Sequence, residues 1–460
     1  MTDRIRIIKH EGVKDSRSQR EAVTSRFTEG RQCDHLPTDD ADRWLGAIER
    51  AFNADWLTTS DTNLGKLWRR KDCYAVNQLC LLGDAIAGLN RIDAKWVATH
   101  VKTIKGTDAN NRRSSLFELL GINLFRKPPQ EVKPTRRNYP GYDAVVTTAD
   151  GATADVSLKS YGTSTHEQEF RRQATSTEES ILRLFKERNK GGVLSAFAKD
   201  HPSAEDWQQL RDALPSLASG QQTIGVWIVL FDDTLPPNFG PYSKHQISYQ
   251  IFFSAPFHKN ESKNLSDKFD DAFANATKHA KPSNSVRVVL MRVPETMSLL
   301  ACDQWTKDYL AKNPASPIDA VLLYQLAFVD QLDESSSIVD QLDRSSWMEH
   351  SFLLSGTPQF ETWQKAKTLS INFAVGIPRT RPSRVLITNG PTKADFRDGY
   401  HYQHGEYFTA YPFDPNRPTN SVSRNIASGI FQHAVIVLPD GTEQLLVGHF
   451  PPTKEITLFE

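Results

Sequence analysis

The residues best equipped for chemistry in this 460-residue chain stand in one short stretch, "GYDAVVTTADGATADVSLKSYG", positions 141–162. Asp143 comes near its start and Lys159 near its end, with Asp155 and Ser157 between them. A carboxylate on one strand and a lysine on the next suit phosphodiester hydrolysis. The acid can bind Mg²⁺, which polarises a phosphoryl oxygen and lowers the pKa of an attacking water. The lysine can orient that water and offset the charge that builds on the phosphorus centre.

Asp150-Gly151 is a turn dipeptide, so 142–148 and 152–160 are expected to form an antiparallel hairpin. A period of two puts Asp155, Ser157 and Lys159 on one face and Val156 and Leu158 on the other. A hairpin centred on Asp150-Gly151 sets Asp143 roughly opposite Lys159 at the open end. Cross-strand Asp–Lys pairs are also common as plain surface pairs. Asp, Ser and Lys alternating with apolar residues mark a face that is wet or functional.

A helix with a glutamate, "LFELLG", precedes the hairpin, and a polar helix, "THEQEF", follows it. This "D … xxK" order with flanking helices resembles the PD-(D/E)xK nuclease superfamily, the restriction-endonuclease-like fold, over about 114–170 and more loosely to about 330. The resemblance implies a metal-dependent DNA endonuclease using Mg²⁺ or Mn²⁺. Asp143 would match the metal-binding aspartate and Lys159 the lysine. Glu118 would match a glutamate that many members place on the preceding helix as a further ligand. Ser157 departs from the pattern, because it stands where the second carboxylate is normally found. In some members that acid migrates to the next helix, and here Glu167 and Glu169 are placed to supply it. Asp155 could substitute only if the strand bulges, since it lies about 13 Å along the strand from Lys159. The third possibility is a dead site on a fold that still binds nucleic acid or serves as a subunit of a defence complex. A role in prokaryotic restriction or anti-phage defence follows from the resemblance alone.

Around this centre the chain reads as α/β. Helical spacing dominates from about 40 to 102, and a further helix is expected at "SSLFELLGINLF", capped by Ser114 or Ser115. Strand-like segments follow, among them "TIGVWIVLF", "ISYQIFFSA", "SVRVVLMRV" and "IDAVLLYQLAF". The stretch 167–217 reads as mostly helical. A near-duplicate, "VDQLDESS" at 329–336 and "VDQLDRSS" at 339–346, marks a connector. Beyond it come short strands, ending in a hairpin around "PDGT". The expected organisation is a helical N-terminal region (1–100), a nuclease-like mixed sheet flanked by helices (101–330) and a mostly-β module for recognition or partner binding (345–460). His401 and His404 in that module are a weak candidate metal pair.

Net charge is zero, so no overall field draws a polyanion, and any nucleic-acid surface must be local. One such surface is available. Between Lys102 and Arg137 there are nine Lys/Arg, including Arg112, Arg113, Arg126, Lys127, Arg136 and Arg137, against Asp108, Glu118 and Glu131. These would contact DNA phosphates. Four cysteines without metal spacing, no signal-peptide core and no long apolar run lead to the expectation of a cytoplasmic protein with no membrane partner. A protein partner subunit or a homodimer is a further expectation. Walker, dinucleotide-fingerprint, zinc-protease and nucleophile-elbow motifs do not occur.

Overall fold

A computed structural model describes residues 7–9, 27–29, 31, 33, 36–71, 73–135, 141–235, 249–278, 285–294, 297–330, 346–367, 369–373, 383–387, 399–403, 421–425, 431–437, 443–449 and 457–459. In chain order the elements are β1 (Ile7–Lys9), α1 (Thr38–Phe52), α2 (Ala54–Thr59), α3 (Asn63–Arg69), α4 (Cys73–Ile104), α5 (Ala109–Leu124), β2 (Glu131–Pro134), β3 (Ala144–Thr147), β4 (Thr153–Ser160), α6 (Thr165–Glu187), β5 (Gly191–Ala198), α7 (Ala204–Ala213), β6 (Gly220–Ile224), β7 (Trp227–Leu235), β8 (Tyr249–Pro256), α8 (Glu261–Ala276), β9 (Ser285–Val293), α9 (Leu299–Lys312), β10 (Ala320–Asp330), β11 (Ser346–Gly356), α10 (Pro358–Ala366), β12 (Ile371–Phe373), β13 (Ser383–Ile387), β14 (Gly399–Gln403), β15 (Ser421–Asn425), β16 (Phe431–Val437) and β17 (Glu443–His449).

Two mixed sheets organise most of these elements, beside a two-stranded β1-β12 pair and a three-stranded β15-β16-β17 sheet. The first runs β13-β11-β10-β9-β4-β3-β2 and the second β14-β8-β5-β7-β6. In the first, β2, β3 and β4 form an antiparallel meander, and β9 returns parallel to β4. That return needs a crossover, and the chain between them holds α6, the first strands of the second sheet and α8. The alternation in β4 is visible in its packing. Ala154, Val156 and Leu158 join one apolar cluster with Leu119 and Ile122 of α5. On β9, Val289 and Met291 face a different cluster with Leu265 and Phe269 of α8. The sheet is therefore covered on both faces.

The α1–α4 helices share the first of those clusters with α5 and the sheet, through residues such as Trp44, Ile48, Val76 and Leu82. A second core joins α6 and α7 to the second sheet, with Phe170, Trp207, Trp227 and Phe253 at its centre. Among the described residues, no helix is long and apolar enough to cross a membrane.

Several expectations are corrected. The helix before the hairpin starts at Ala109, because the Asp108 carboxylate accepts the Asn111 N–H at 2.9 Å, so Ser114 and Ser115 lie inside it. The run "TIGVWIVLF" is two strands, β6 and β7, since Gly225 with φ +53° makes a two-residue turn between Ile224 and Trp227. The stretch 167–217 contains β5, a central strand. Its start requires glycine at 192, because a Cβ there would lie 2.3 Å from the Asp232 carbonyl oxygen. The division at 330–345 does not separate sheets, because β10 and β11 pair from Ala320↔Gly356 to Asp330↔Ser346. Similarly, β14 adds to β8 of the second sheet. The final hairpin is present as β16–β17. Residues 331–345, which hold most of the duplicated segment, and His404 lie outside the described residues, as does the side chain of His401.

Helix α5 lies close to β4 at one glycine. A Cβ on Gly121 would come 2.1 Å from Leu158 Cδ2 and 3.1 Å from Leu290 Cδ2. Gly121→Val should therefore overpack this contact and lower stability by about 2 kcal/mol, despite the better helix propensity of the new residue. Urea denaturation checks this as a lower midpoint at unchanged slope.

Candidate active site at the β3–β4 hairpin

The hairpin register differs from expectation in an informative way. Observed pairs run from Ala144↔Val156 to Thr147↔Thr153. The Thr148 N–H closes on the Ala152 carbonyl at 2.8 Å, and the Gly151 N–H on the Thr148 carbonyl at 3.0 Å. The loop is thus three residues, Ala149, Asp150 and Gly151, with Gly151 at φ +78°. Asp143 accordingly does not stand opposite Lys159. Its N–H donates to the Val156 carbonyl at 2.8 Å, although Val156 already pairs with Ala144. Two residues of one strand facing one of the other is a β-bulge, a device that re-aims a side chain.

The bulge turns the Asp143 carboxylate along β4, where its Oδ2 accepts the Leu158 N–H at 2.6 Å. Burial pushes its pKa up, against the Leu158 N–H and the Lys159 ammonium, which both pull it down. Asp143 and Lys159 are thus brought into one neighbourhood, by way of the bulge and not by cross-strand pairing. Lys159 is itself half-buried near the end of β4. Ser157 is buried, and its hydroxyl donates to the Gly141 carbonyl at 3.2 Å, tying the entry turn to β4. Asp155 is buried 4.0 Å from Arg287 of β9.

The remaining predicted acids are engaged elsewhere. Glu118 accepts the Ser114 hydroxyl at 3.2 Å and lies 3.5 Å from His100 of α4. Glu169 is exposed and pairs with Arg172 at 2.5 Å, which holds its pKa down. Glu167 is buried, with Oε1 taking the Arg171 Nε–H at 3.0 Å and Oε2 without a hydrogen-bond partner. Among the described residues, no three His, Cys, Asp or Glu side chains are arranged to hold a metal ion. The four-acid set is therefore not assembled. Mg²⁺ does not require it, since it is commonly held by one or two carboxylates together with waters and substrate phosphates. Asp143 fits that smaller requirement.

The basic segment divides. Arg126 is withdrawn from any phosphate contact, because its guanidinium pairs with Asp84 at 2.8 Å and donates to Asn123. Arg112 donates to the Gly106 carbonyl at 3.0 Å. Arg113 is exposed and Lys127 half-buried, while Arg136 and Arg137 lie outside the described residues.

Sequence spacing did not bring forward a second cluster, in which Glu261 is fully buried and accepts hydroxyls from Tyr161, Ser164 and Tyr400. Its one readable signal is a histidine near each of three helix starts, at His166, His201 and His258. Compared with known proteins, the chain matches no family model, no curated protein and no solved structure.

Because the half-buried Asp143 has a pKa above that of an unfolded carboxylate, the folded state binds more protons than the unfolded state between the two values. Stability contributed at this position therefore falls as pH rises through that window, and at neutral pH the charge is a net cost. Asp143→Asn removes the charge and keeps an acceptor for the Leu158 N–H. It should raise Tm by about 2 °C at neutral pH, with the gain shrinking toward acidic pH. Calorimetry at several pH values measures this. A lower Tm at neutral pH would contradict it.

Proposed function

We propose that the β3–β4 hairpin is the phosphodiester site of a Mg²⁺-dependent DNA endonuclease resembling the PD-(D/E)xK superfamily. One observation carries this reading: a bulge holds the Asp143 carboxylate on the Leu158 N–H, within the field of Lys159. The order α5, β2–β4, α6, with β9 parallel to β4, also agrees with the flanking-helix pattern of that superfamily.

In this reading Asp143 is the side chain that would hold Mg²⁺ or Mn²⁺, with waters and substrate supplying the other ligands. When bound, the metal supplies Lewis-acid polarisation and a water of lowered pKa. The Leu158 N–H fixes the carboxylate, so its orientation is set before substrate arrives. Lys159, rooted on the strand beside it, orients the water and offsets charge developing on the phosphoryl oxygens. Ser157 holds the turn that carries Asp143 and takes no proton. Arg113 and Lys127 contribute non-specific phosphate attraction from α5 and the chain that follows it. Restriction or anti-phage defence in the cytoplasm, alone or with a partner subunit, is the setting that such an enzyme would have.

The pairing of Glu118 with His100 and of Glu169 with Arg172 favours a second reading. In it the hairpin is a nuclease-like scaffold that binds nucleic acid without cleaving it.

Incubating supercoiled plasmid with the protein and Mg²⁺ separates the two. Cleavage is expected for wild type, at least about 100-fold less for Asp143→Ala and Lys159→Ala, and within about twofold of wild type for Glu118→Gln. Equal nicking by wild type and both hairpin variants would sink the mechanism. Retained DNA binding in a gel shift, with no cleavage under Mg²⁺ or Mn²⁺, would select the second reading.

A further inference from the structure

Three strand-to-helix junctions meet away from the hairpin loop, and each presents a histidine. His166 is the second residue of α6, which follows β4. His201 lies between β5 and α7, and His258 between β8 and α8. All three are half-buried. Their ring centroids are 3.7 Å apart for His166–His258, 4.9 Å for His201–His258 and 6.4 Å for His166–His201. Below them Glu261 is satisfied by three hydroxyl groups and does not depend on an imidazole for a partner.

The cluster is not a chelate. The His166 and His258 rings are stacked with an interplanar angle of 21°, so their in-plane lone pairs do not converge. His258 Nδ1 is also engaged, since it accepts the Asn260 N–H at 3.2 Å. That bond leaves the ring proton on Nε2. At His201 the Pro256 carbonyl can only accept, so Nδ1 carries the proton in the 3.3 Å contact, and protonation would add a second donor at Nε2.

The surroundings favour an anion. Helices of 23, 10 and 16 residues begin here, and each directs the positive end of its dipole at the cluster. Ser164 and Ser203 cap the first two; the Asn260 side chain does not cap α8, whose Glu261 N–H donates to the His258 carbonyl at 2.8 Å, leaving the Ser262 and Lys263 N–H groups without a side-chain cap from Asn260. Strands β5 and β8 are parallel neighbours, so their carboxyl ends open on the same side, where open α/β sheets bind ligands.

We propose that the junction of α6, α7 and α8 is a phosphate-binding site, with His201 and His258 as donors, His166 stacked behind them and the α8 N-terminus as a further donor set. This site is separate from the Asp143 chemistry. Burial holds the pKa of His201 down, and so does His166. Burial does the same at His258, together with His166, His201 and Lys259. Glu261 opposes these effects at both rings. Glu167 and its partner Arg171, with Tyr161 and Tyr400, complete the charged and titratable groups nearby. A bound phosphate would favour the protonated imidazoles, so affinity rises as pH falls.

Thermal denaturation of the full chain with inorganic phosphate, against chloride at equal ionic strength, tests the proposal. Phosphate should raise Tm, with affinity roughly tenfold tighter near pH 6 than near pH 8. His201→Gln and His258→Gln should each weaken it by about tenfold, and Lys259→Gln, at an exposed position, by about twofold. Each variant's Tm in chloride reports its folding. If a short oligonucleotide competes with phosphate, the source is a nucleic-acid backbone; if it does not, the source is a free phosphate or a small phosphorylated ligand. The proposal is overturned if phosphate acts no differently from chloride at either pH, or if its effect survives both histidine substitutions. Asp143→Ala should leave the phosphate effect intact, so this site and the hairpin reading fail separately.

Discussion

The 2.6 Å bond from the Leu158 N–H to Asp143 Oδ2 is the interaction on which the rest of the site depends. It exists because a three-residue loop sets the β3–β4 register and a bulge at Asp143 then breaks it. Without the bulge, a carboxylate at this position would lie across from its neighbour strand, not along it. The bond offsets part of the cost of burying the charge, and Lys159 offsets a smaller part, yet burial still prevails. A carboxylate kept at such a cost is a reasonable place to look for function. The same strand pairs with β3 on one side and β9 on the other, so the geometry of the site is braced by the centre of the larger sheet.

Much of this was legible in the sequence. The Asp150-Gly151 turn, the alternation in β4, the helices on either side and the closing β16–β17 hairpin all follow from local rules that the structure obeys. The failures were non-local. Whether the loop has two residues or three is not written in the turn dipeptide, and a one-residue change there moves the cross-strand partner by one position, which flips the face it presents. Arg126 looks like a phosphate ligand until Asp84, 42 residues earlier, claims it. Glu118 looks like a metal ligand until α4 places His100 beside it. Strand β5 was hidden inside the stretch 167–217, where the helical pattern of the flanking segments dominates.

Strand β4 also links the two candidate sites. Its last residues lead through Tyr161 and Ser164 to the α6 N-terminus, where the buried Glu261 network and the three histidines stand. The hairpin presents a carboxylate and a lysine; the helix junction presents three imidazoles. The first suits a metal and a scissile phosphate, and the second an anion alone. On these two proposals, a chain of zero net charge would draw phosphate through local groups and not through an overall field.

The central claim is that Asp143 holds a divalent cation jointly with a substrate phosphate. Manganese binding, followed by electron paramagnetic resonance in the presence of a non-cleavable phosphorothioate duplex, addresses it most directly. Wild type and Glu118→Gln should each bind one Mn²⁺, with affinity at least about tenfold weaker in Asp143→Asn. Equal Mn²⁺ binding by wild type and Asp143→Asn would contradict it.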